Sequence, residues 1–173
     1  MALIASLVVG VNGATSLGGT SRGLSTPSDR ERFLKRHRSA AAFIIGKKSA
    51  LLESYSASDV PIFVFSRSSE ALALPHPLMQ QVRINQDDLG EISRQIDRGI
   101  EGDVIVEAGI SLLTALINAG VIDELELSIS PIKGDGDYID TEALLKNCEI
   151  SERVTEDGTR LLQCRYKGDS AHS

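Results

Sequence analysis

The sequence predicts an α/β fold built on a mostly parallel central sheet, with antiparallel C-terminal strands and helices on both faces. Three observations predict it. Short apolar runs without alternation recur through the first two thirds of the chain, at residues 3–11, 42–45, 61–65 and 104–106. Such runs mark strands buried on both faces. Helix signals lie between most of them. From Glu124 onward apolar and polar residues alternate, the mark of a half-buried antiparallel strand.

The first strand is expected over residues 3–11. A Gly/Ser/Thr segment without hydrophobic period follows over residues 12–27, and long loops of that kind in compact domains are usually functional. Ser28, with Glu31 three residues on, predicts a capping box opening the first helix. Phe33, Leu34 and His37 form its apolar stripe, which predicts that the helix lies on the sheet. The second strand, residues 42–45, ends at Gly46 and passes into a short helix over residues 47–54. The third strand, 61–65, ends at Ser66-Arg67, and a fourth is expected over residues 81–84. Asp87 or Asp88 caps the next helix, whose Leu89, Ile92 and Ile96 share a face and which Gly99 ends.

The run Asp103-Val104-Ile105-Val106-Glu107-Ala108-Gly109-Ile110-Ser111 is a strand feeding directly into a helix N-terminus. Leu112, Leu113, Leu116 and Ile117 face inward and Gly120 stops this helix. Next, Leu125, Leu127 and Ile129 alternate with Glu126, Ser128 and Ser130, which predicts a strand with one wet face. A Gly/Asp-rich loop is expected over residues 134–137, and a short helix capped by Thr141 through Lys146. Two alternating strands near residues 148–154 and 161–167, joined by Glu156-Asp157-Gly158, close the pattern. A single domain over residues 1–168 and a frayed tail over 169–173 are expected.

Composition narrows the function. The chain has 173 residues, a net charge of -6 and 42% hydrophobic residues, enough for a real core. An acidic chain without a Lys/Arg cluster is a poor nucleic-acid binder. The apolar N-terminus is short and lacks a basic flank, so it reads as a strand, neither signal peptide nor membrane span. The two cysteines, Cys148 and Cys164, are too few for a disulfide framework, which fits a reducing cytoplasm.

Three strand ends carry small or basic residues: Gly46-Lys47-Lys48-Ser49, Ser66-Arg67 and Ala108-Gly109-Ile110-Ser111. Ligands of open α/β sheets bind beyond the carboxyl ends of the strands. Lys47, Lys48 and Arg67 would meet negative charge there, and a glycine at a helix N-terminus admits a phosphate close to the backbone. The classical dinucleotide fingerprint does not fit, because the glycines after the first strand do not open a helix directly.

The segments Ile44-Ile45-Gly46-Lys47-Lys48-Ser49 and Val60-Pro61-Ile62-Phe63-Val64-Phe65-Ser66-Arg67 resemble dihydrofolate reductase. The closer resemblance is to the pyrimidine reductase domain of riboflavin biosynthesis, which shares the dihydrofolate reductase-like fold. It rests on Leu24-Ser25-Thr26-Pro27-Ser28-Asp29-Arg30, Glu107-Ala108-Gly109-Ile110-Ser111-Leu112 and Ala119-Gly120-Val121-Ile122-Asp123-Glu124-Leu125. It covers nearly the whole chain.

The resemblance implies an NADPH-dependent oxidoreductase acting on a small molecule, a ribosylamino-pyrimidine phosphate or a similar heterocycle. Ser66 and Arg67 would hold the 2′-phosphate; Gly46, Lys48 and Ser49 the neighbouring phosphates; Ala108, Gly109, Ile110 and Ser111 the pyrophosphate; and Ser25 would sit near the nicotinamide. Asn12, Arg30 and Glu53 fall at substrate positions, Arg30 as the phosphate contact. Asp29 and Glu107 are the candidates for the proton that accompanies hydride transfer. No metal is assigned. A homodimer is implied, with no membrane or nucleic-acid partner.

Two departures stand out. Asn12 replaces the family's Asp, and Tyr55-Ser56-Ala57-Ser58-Asp59 replaces its substrate segment. Two other functions therefore stay open: a dihydrofolate- or pterin-reductase-like activity, and a non-catalytic NADP-binding protein of the same fold.

Overall fold

The computed structural model describes residues 2–52 and 55–168. Glu53, the end of the expected helix at 53–54 and the expected frayed tail at 169–173 lie outside the described residues. Ten strands and five helices are described, in the order β1 (Leu3–Gly10), β2 (Ala14–Ser16), α1 (Pro27–Ser39), β3 (Ala42–Gly46), α2 (Lys47–Leu52), β4 (Ile62–Ser66), β5 (Met79–Arg83), α3 (Leu89–Gly99), β6 (Val104–Glu107), α4 (Ile110–Asn118), β7 (Glu124–Ser130), β8 (Gly136–Tyr138), α5 (Thr141–Leu144), β9 (Cys148–Val154) and β10 (Arg160–Tyr166).

Eight of the strands order as β5-β4-β3-β6-β1-β7-β10-β9, and β2 pairs with β8 separately. The pairs β5–β4, β4–β3, β3–β6 and β6–β1 are parallel, whereas β7–β10 and β10–β9 are antiparallel. The fold class is the one that the sequence predicts.

The chain divides into two compact units. One comprises the start of β1 through Ala5 together with Ser39–Ile122; the other comprises Ser6–Arg38 and the chain from Asp123 onward. In the first unit Ile4, Phe43, Ile45, Ile62, Val64, Met79 and Ile105 form the core with Ala50 and Tyr55. Both faces of β3 and β6 are covered, which is why these strands read as unbroken apolar runs. Each fully buried aliphatic side chain here contributes about 1.5–3 kcal/mol. The α4 stop is as expected: Gly120 takes φ +68 and Val121 N–H bonds back to Leu116 C=O.

The second unit corrects several expectations. The first helix is capped by Thr26, not Ser28: Thr26 Oγ1 accepts Asp29 N–H at 3.2 Å. Pro27 explains the shift, because its fixed φ and missing donor suit the first helical position and set the cap at Thr26, two residues before Ser28. The stripe of Phe33, Leu34 and His37 is not a buried face, since α1 has no fully buried residue and Leu34 is 38% exposed. Arg32 and Arg36 make the polar contacts of α1 to β7 and β10 instead.

Nor is the polar face of β7 wet. Glu126, Ser128 and Ser130 are 6%, 2% and 0% exposed. Arg36 donates to Glu126 Oε1, Arg32 Nε lies 3.6 Å from Glu126 Oε2, and the Arg32 guanidinium reaches the Leu127 and Leu162 carbonyls. A buried carboxylate with two arginine partners reads as a wet position in sequence because the partners lie ninety or more residues away. The segments expected as loops at 12–27 and 134–137 hold β2 and β8, three residues each, too short to show a period. Asp140 caps α5 by accepting Ala143 N–H, so Thr141 lies inside that helix.

Candidate active site

In the first unit the carboxyl ends of β3, β4, β5 and β6 are level. Gly46 is in register with Phe65, Ile45 with Glu107, and Ser66 with Arg83. Parallel strands that stop together leave their following loops on one rim, where such sheets bind ligands. The sequence-predicted Gly46, Lys48, Ser49, Ser66, Arg67, Ala108, Gly109, Ile110 and Ser111 all fall on or directly after three of these ends.

The two glycines pass a simple test of fit for a phosphate-bearing cofactor. A Cβ built on Gly109 meets nothing within 4 Å, and one on Gly46 meets only Leu112 Cδ2 at 3.9 Å. Space beside the backbone is therefore open at both. Gly109 caps α4 with extended geometry and no side-chain partner, so the first α4 N–H groups have no capping side chain. Lys47 and Lys48 are exposed. Ser66 is buried, and its Oγ accepts Ser68 N–H at 3.1 Å, which shapes the turn that presents Arg67.

Arg67 lines a pocket of about 480 Å³ together with Arg83, Ile84, Asn85, Gln86 and Asp88. Arg83 was missed in sequence. Placing the fourth strand two residues late hid the fact that Arg83 is the register partner of Ser66. The Asp88 carboxylate in this pocket is already engaged: it accepts Asn85 N–H at 2.8 Å and Asn85 Nδ2 at 2.6 Å. The pocket thus presents two arginines and an acid tied into its own turn.

Tyr55 is the other residue that sequence reading missed. It is 7% exposed and its hydroxyl donates to Glu107 Oε2 at 2.9 Å. Its ring packs against Phe43 at a centroid distance of 6.1 Å. Tyr55 therefore fixes the direction of Glu107 at the β6 end. The only signal was an aromatic residue in an otherwise small and polar segment.

The second unit holds Asn12, Ser25, Asp29 and Arg30. Ser25 Oγ donates to Asp29 Oδ2 at 2.5 Å, so these two act as a pair at the start of α1. Arg30 is exposed, with its guanidinium 5.5 Å from the Phe33 ring centroid. Asn12 is engaged on both sides of its carboxamide: Nδ2 donates to Gly134 C=O at 2.9 Å, and Oδ1 accepts Gly134 N–H at 3.1 Å. Only an amide can both donate and accept there, which accounts for Asn at this position.

Two more carboxylates brace this unit. Asp135 accepts Gly18 N–H. Asp157, in the β9–β10 turn, accepts Ser28 N–H at 2.9 Å and both hydroxyls of Thr155 and Thr159. Those hydroxyl bonds hold its pKa well below the usual carboxylate range. Thr159 Oγ1 also meets Thr26 Oγ1 at 2.5 Å, so the hairpin turn and the α1 cap form one network.

Cys164 is fully buried and burial pushes its thiol up to about 12; burial also raises Cys148. Neither is a thiolate nucleophile at neutral pH. No helix among the described residues is long and apolar enough to cross a membrane.

No protein-family model matches the chain, and no curated protein matches it. Solved structures do. A pyrimidine reductase-like protein from Corynebacterium diphtheriae superposes with TM-score 0.70 at 14% identity, over 97% of this chain and 92% of that one. A diaminohydroxyphosphoribosylaminopyrimidine deaminase/5-amino-6-(5-phosphoribosylamino)uracil reductase from Thermotoga maritima gives TM-score 0.68 at 14% identity, over 95% of this chain and 56% of that one. A dihydrofolate reductase from Enterococcus faecalis, complexed with NADP(H), gives TM-score 0.64 at 13% identity, over 95% of each chain. The chain has the dihydrofolate reductase-like fold shared by the pyrimidine reductases of riboflavin biosynthesis.

Proposed function

We propose that the protein is an NADPH-dependent reductase of a ribosylamino-pyrimidine phosphate or a similar heterocycle. The observation that carries this reading is the level rim of β3, β4, β5 and β6, with open glycines at Gly46 and Gly109 and two arginines around one pocket. A 2′-phosphate suits the Arg67/Arg83 pocket, because guanidinium forks match phosphate oxygens. Lys48 and Ser49 supply charge and a hydroxyl for the neighbouring phosphate, and the open α4 N-terminus suits the pyrophosphate. NADPH, when bound, supplies the hydride.

The chain's own residues then have three tasks: to orient the acceptor, to keep water out and to deliver a proton. Glu107, aimed by the Tyr55 hydroxyl, and Asp29, paired with Ser25, are the proton-handling candidates, each in its own unit. Arg30 is exposed and available to a substrate phosphate. The engagement of Asn12 with Gly134 favours a second reading, a non-catalytic NADP-binding protein, because it removes a polar group from the substrate side.

The chain has no Trp, so binding is read from the emission of NADPH itself. Saturable NADPH binding at micromolar protein, with NADH weaker by tenfold or more (about 1.4 kcal/mol), is the expected result. Arg67→Ala and Arg83→Ala should each reduce that preference; equal losses for both nucleotides would refute the 2′-phosphate assignment. If NADPH binds and neither the ribosylamino-pyrimidine phosphate nor dihydrofolate supports its oxidation, the non-catalytic reading stands.

A further inference from the structure

Tyr55 is an unexpected residue for the place that it fills. It is 7% exposed and belongs to the apolar core of the first unit, with Phe43, Ala50, Ile62 and Met79. Phenylalanine would bury the same ring without a polar atom. A buried hydroxyl is costly unless it is bonded, and this one donates to Glu107 Oε2 at 2.9 Å. Even when bonded, a hydroxyl adds little net stability over an apolar group of the same shape. The gain from tyrosine at this position therefore lies in what its hydroxyl does to Glu107.

Donor and acceptor differ in freedom. The Tyr55 ring is tilted by 60° against the Phe43 ring, and Tyr55 C=O accepts Ser58 N–H at 2.9 Å. The phenol is thus held through both its ring and its backbone. Glu107 is only half-buried, and its side chain is long and flexible. It is the last residue of β6 and the register partner of Ile45, which precedes Gly46. Two residues on, Gly109 opens α4. Glu107 therefore stands beside both open glycines of the rim. A rigid donor that fixes a flexible acid in the free protein preorganises it: the ordering cost is met before the acceptor arrives and not on the way to the transition state.

We propose that Tyr55 is a positioning residue for the reduction and acts through Glu107 alone, its hydroxyl holding the Glu107 carboxylate in the direction that the proton step needs. The proposal rests on the reductase reading above. It turns a hydrogen bond of the fold into a determinant of turnover, and it gives Tyr55 no contact with substrate or cofactor.

A double-mutant cycle in turnover tests it. NADPH oxidation is followed in Tyr55→Phe, Glu107→Gln and the double variant, with urea unfolding and NADPH titration of each. Tyr55→Phe keeps the ring and removes one oxygen, so its urea midpoint and NADPH affinity should match the wild type. Its kcat should fall about tenfold or more with KM little changed, because geometry at the reacting centre is what is lost. Glu107→Gln should lose at least as much. The double variant should lose no more than Glu107→Gln, since nothing is then left for Tyr55 to position. A tyrosine that only braces the fold would lower the urea midpoint, and its loss would multiply with that of Glu107→Gln. Normal turnover by Tyr55→Phe, or losses that multiply, would overturn the proposal and leave the reductase reading in place. A wild type that oxidises NADPH with neither the ribosylamino-pyrimidine phosphate nor dihydrofolate would overturn the reductase reading, and the role of Tyr55 with it.

Discussion

The two compact units differ in how they use their polar side chains. The first is an aliphatic core under parallel strands, and its strand ends carry few internal polar ties. Gly46 and Gly109 face open space, and Arg67, Lys47 and Lys48 are exposed. The second unit turns its polar groups inward. Asn12 clasps Gly134, Asp135 holds Gly18, Asp157 caps α1, and Glu126 anchors Arg36 and Arg32. Where apolar packing suffices, Arg67, Lys47 and Lys48 stay exposed at the strand ends. In the second unit the same residue types are tied into the fold.

The largest effect should come from breaking the ionic anchor. Glu126→Ala leaves two mostly buried arginines without their carboxylate and should cost about 3–5 kcal/mol in urea unfolding. A loss below 1 kcal/mol would mean that the second unit rests on its apolar residues after all. Gly109→Val probes the open rim. Its backbone is extended and its surroundings empty, so stability should hold while NADPH affinity falls by tenfold or more, about 1.4 kcal/mol. Unchanged affinity would remove the α4 N-terminus from the site.

Asn12→Asp should destabilise by about 1–2 kcal/mol, because the carboxylate cannot donate to Gly134 C=O. If the variant instead gains turnover at no cost in stability, position 12 belongs to the chemistry and not to the brace. The smallest effect is confined to acid. Asp157 titrates below its unfolded value, so its stabilisation is complete above that value, about pH 4, and is lost as pH falls toward its lower folded pKa. Between pH 5 and pH 2, wild-type stability should fall more than that of Asp157→Asn. Parallel curves would place the cap elsewhere.

The same contrast explains what could be read in advance. Apolar runs at β3, β4 and β6, and the small-residue turns after them, are local signals, so those strands and the turns that follow them were legible. The second unit's ties join residues far apart in sequence. Asn12 with Gly134 and Ser28 with Asp157 leave no local pattern, and Glu126 looks like any solvent-facing residue of an alternating strand. A proline moved the α1 cap by two residues, and two three-residue strands were too short for any period. Arg83 and Tyr55 escaped because their meaning lies in what they stand beside, Ser66 and Glu107.

The Asp157 bond to Ser28 also bears on the order of folding. The residues that it joins are 129 positions apart. During synthesis, α1 emerges long before its capping carboxylate exists, and an isolated helix of 13 residues is marginal in water. The start of α1, with Asp29 and Arg30 on its first turn, is completed only after the closing hairpin has formed. The nascent chain therefore carries an incompletely capped α1 until one of its last described elements arrives, and a truncation that removes the hairpin should loosen the Ser25–Asp29 pair without touching it.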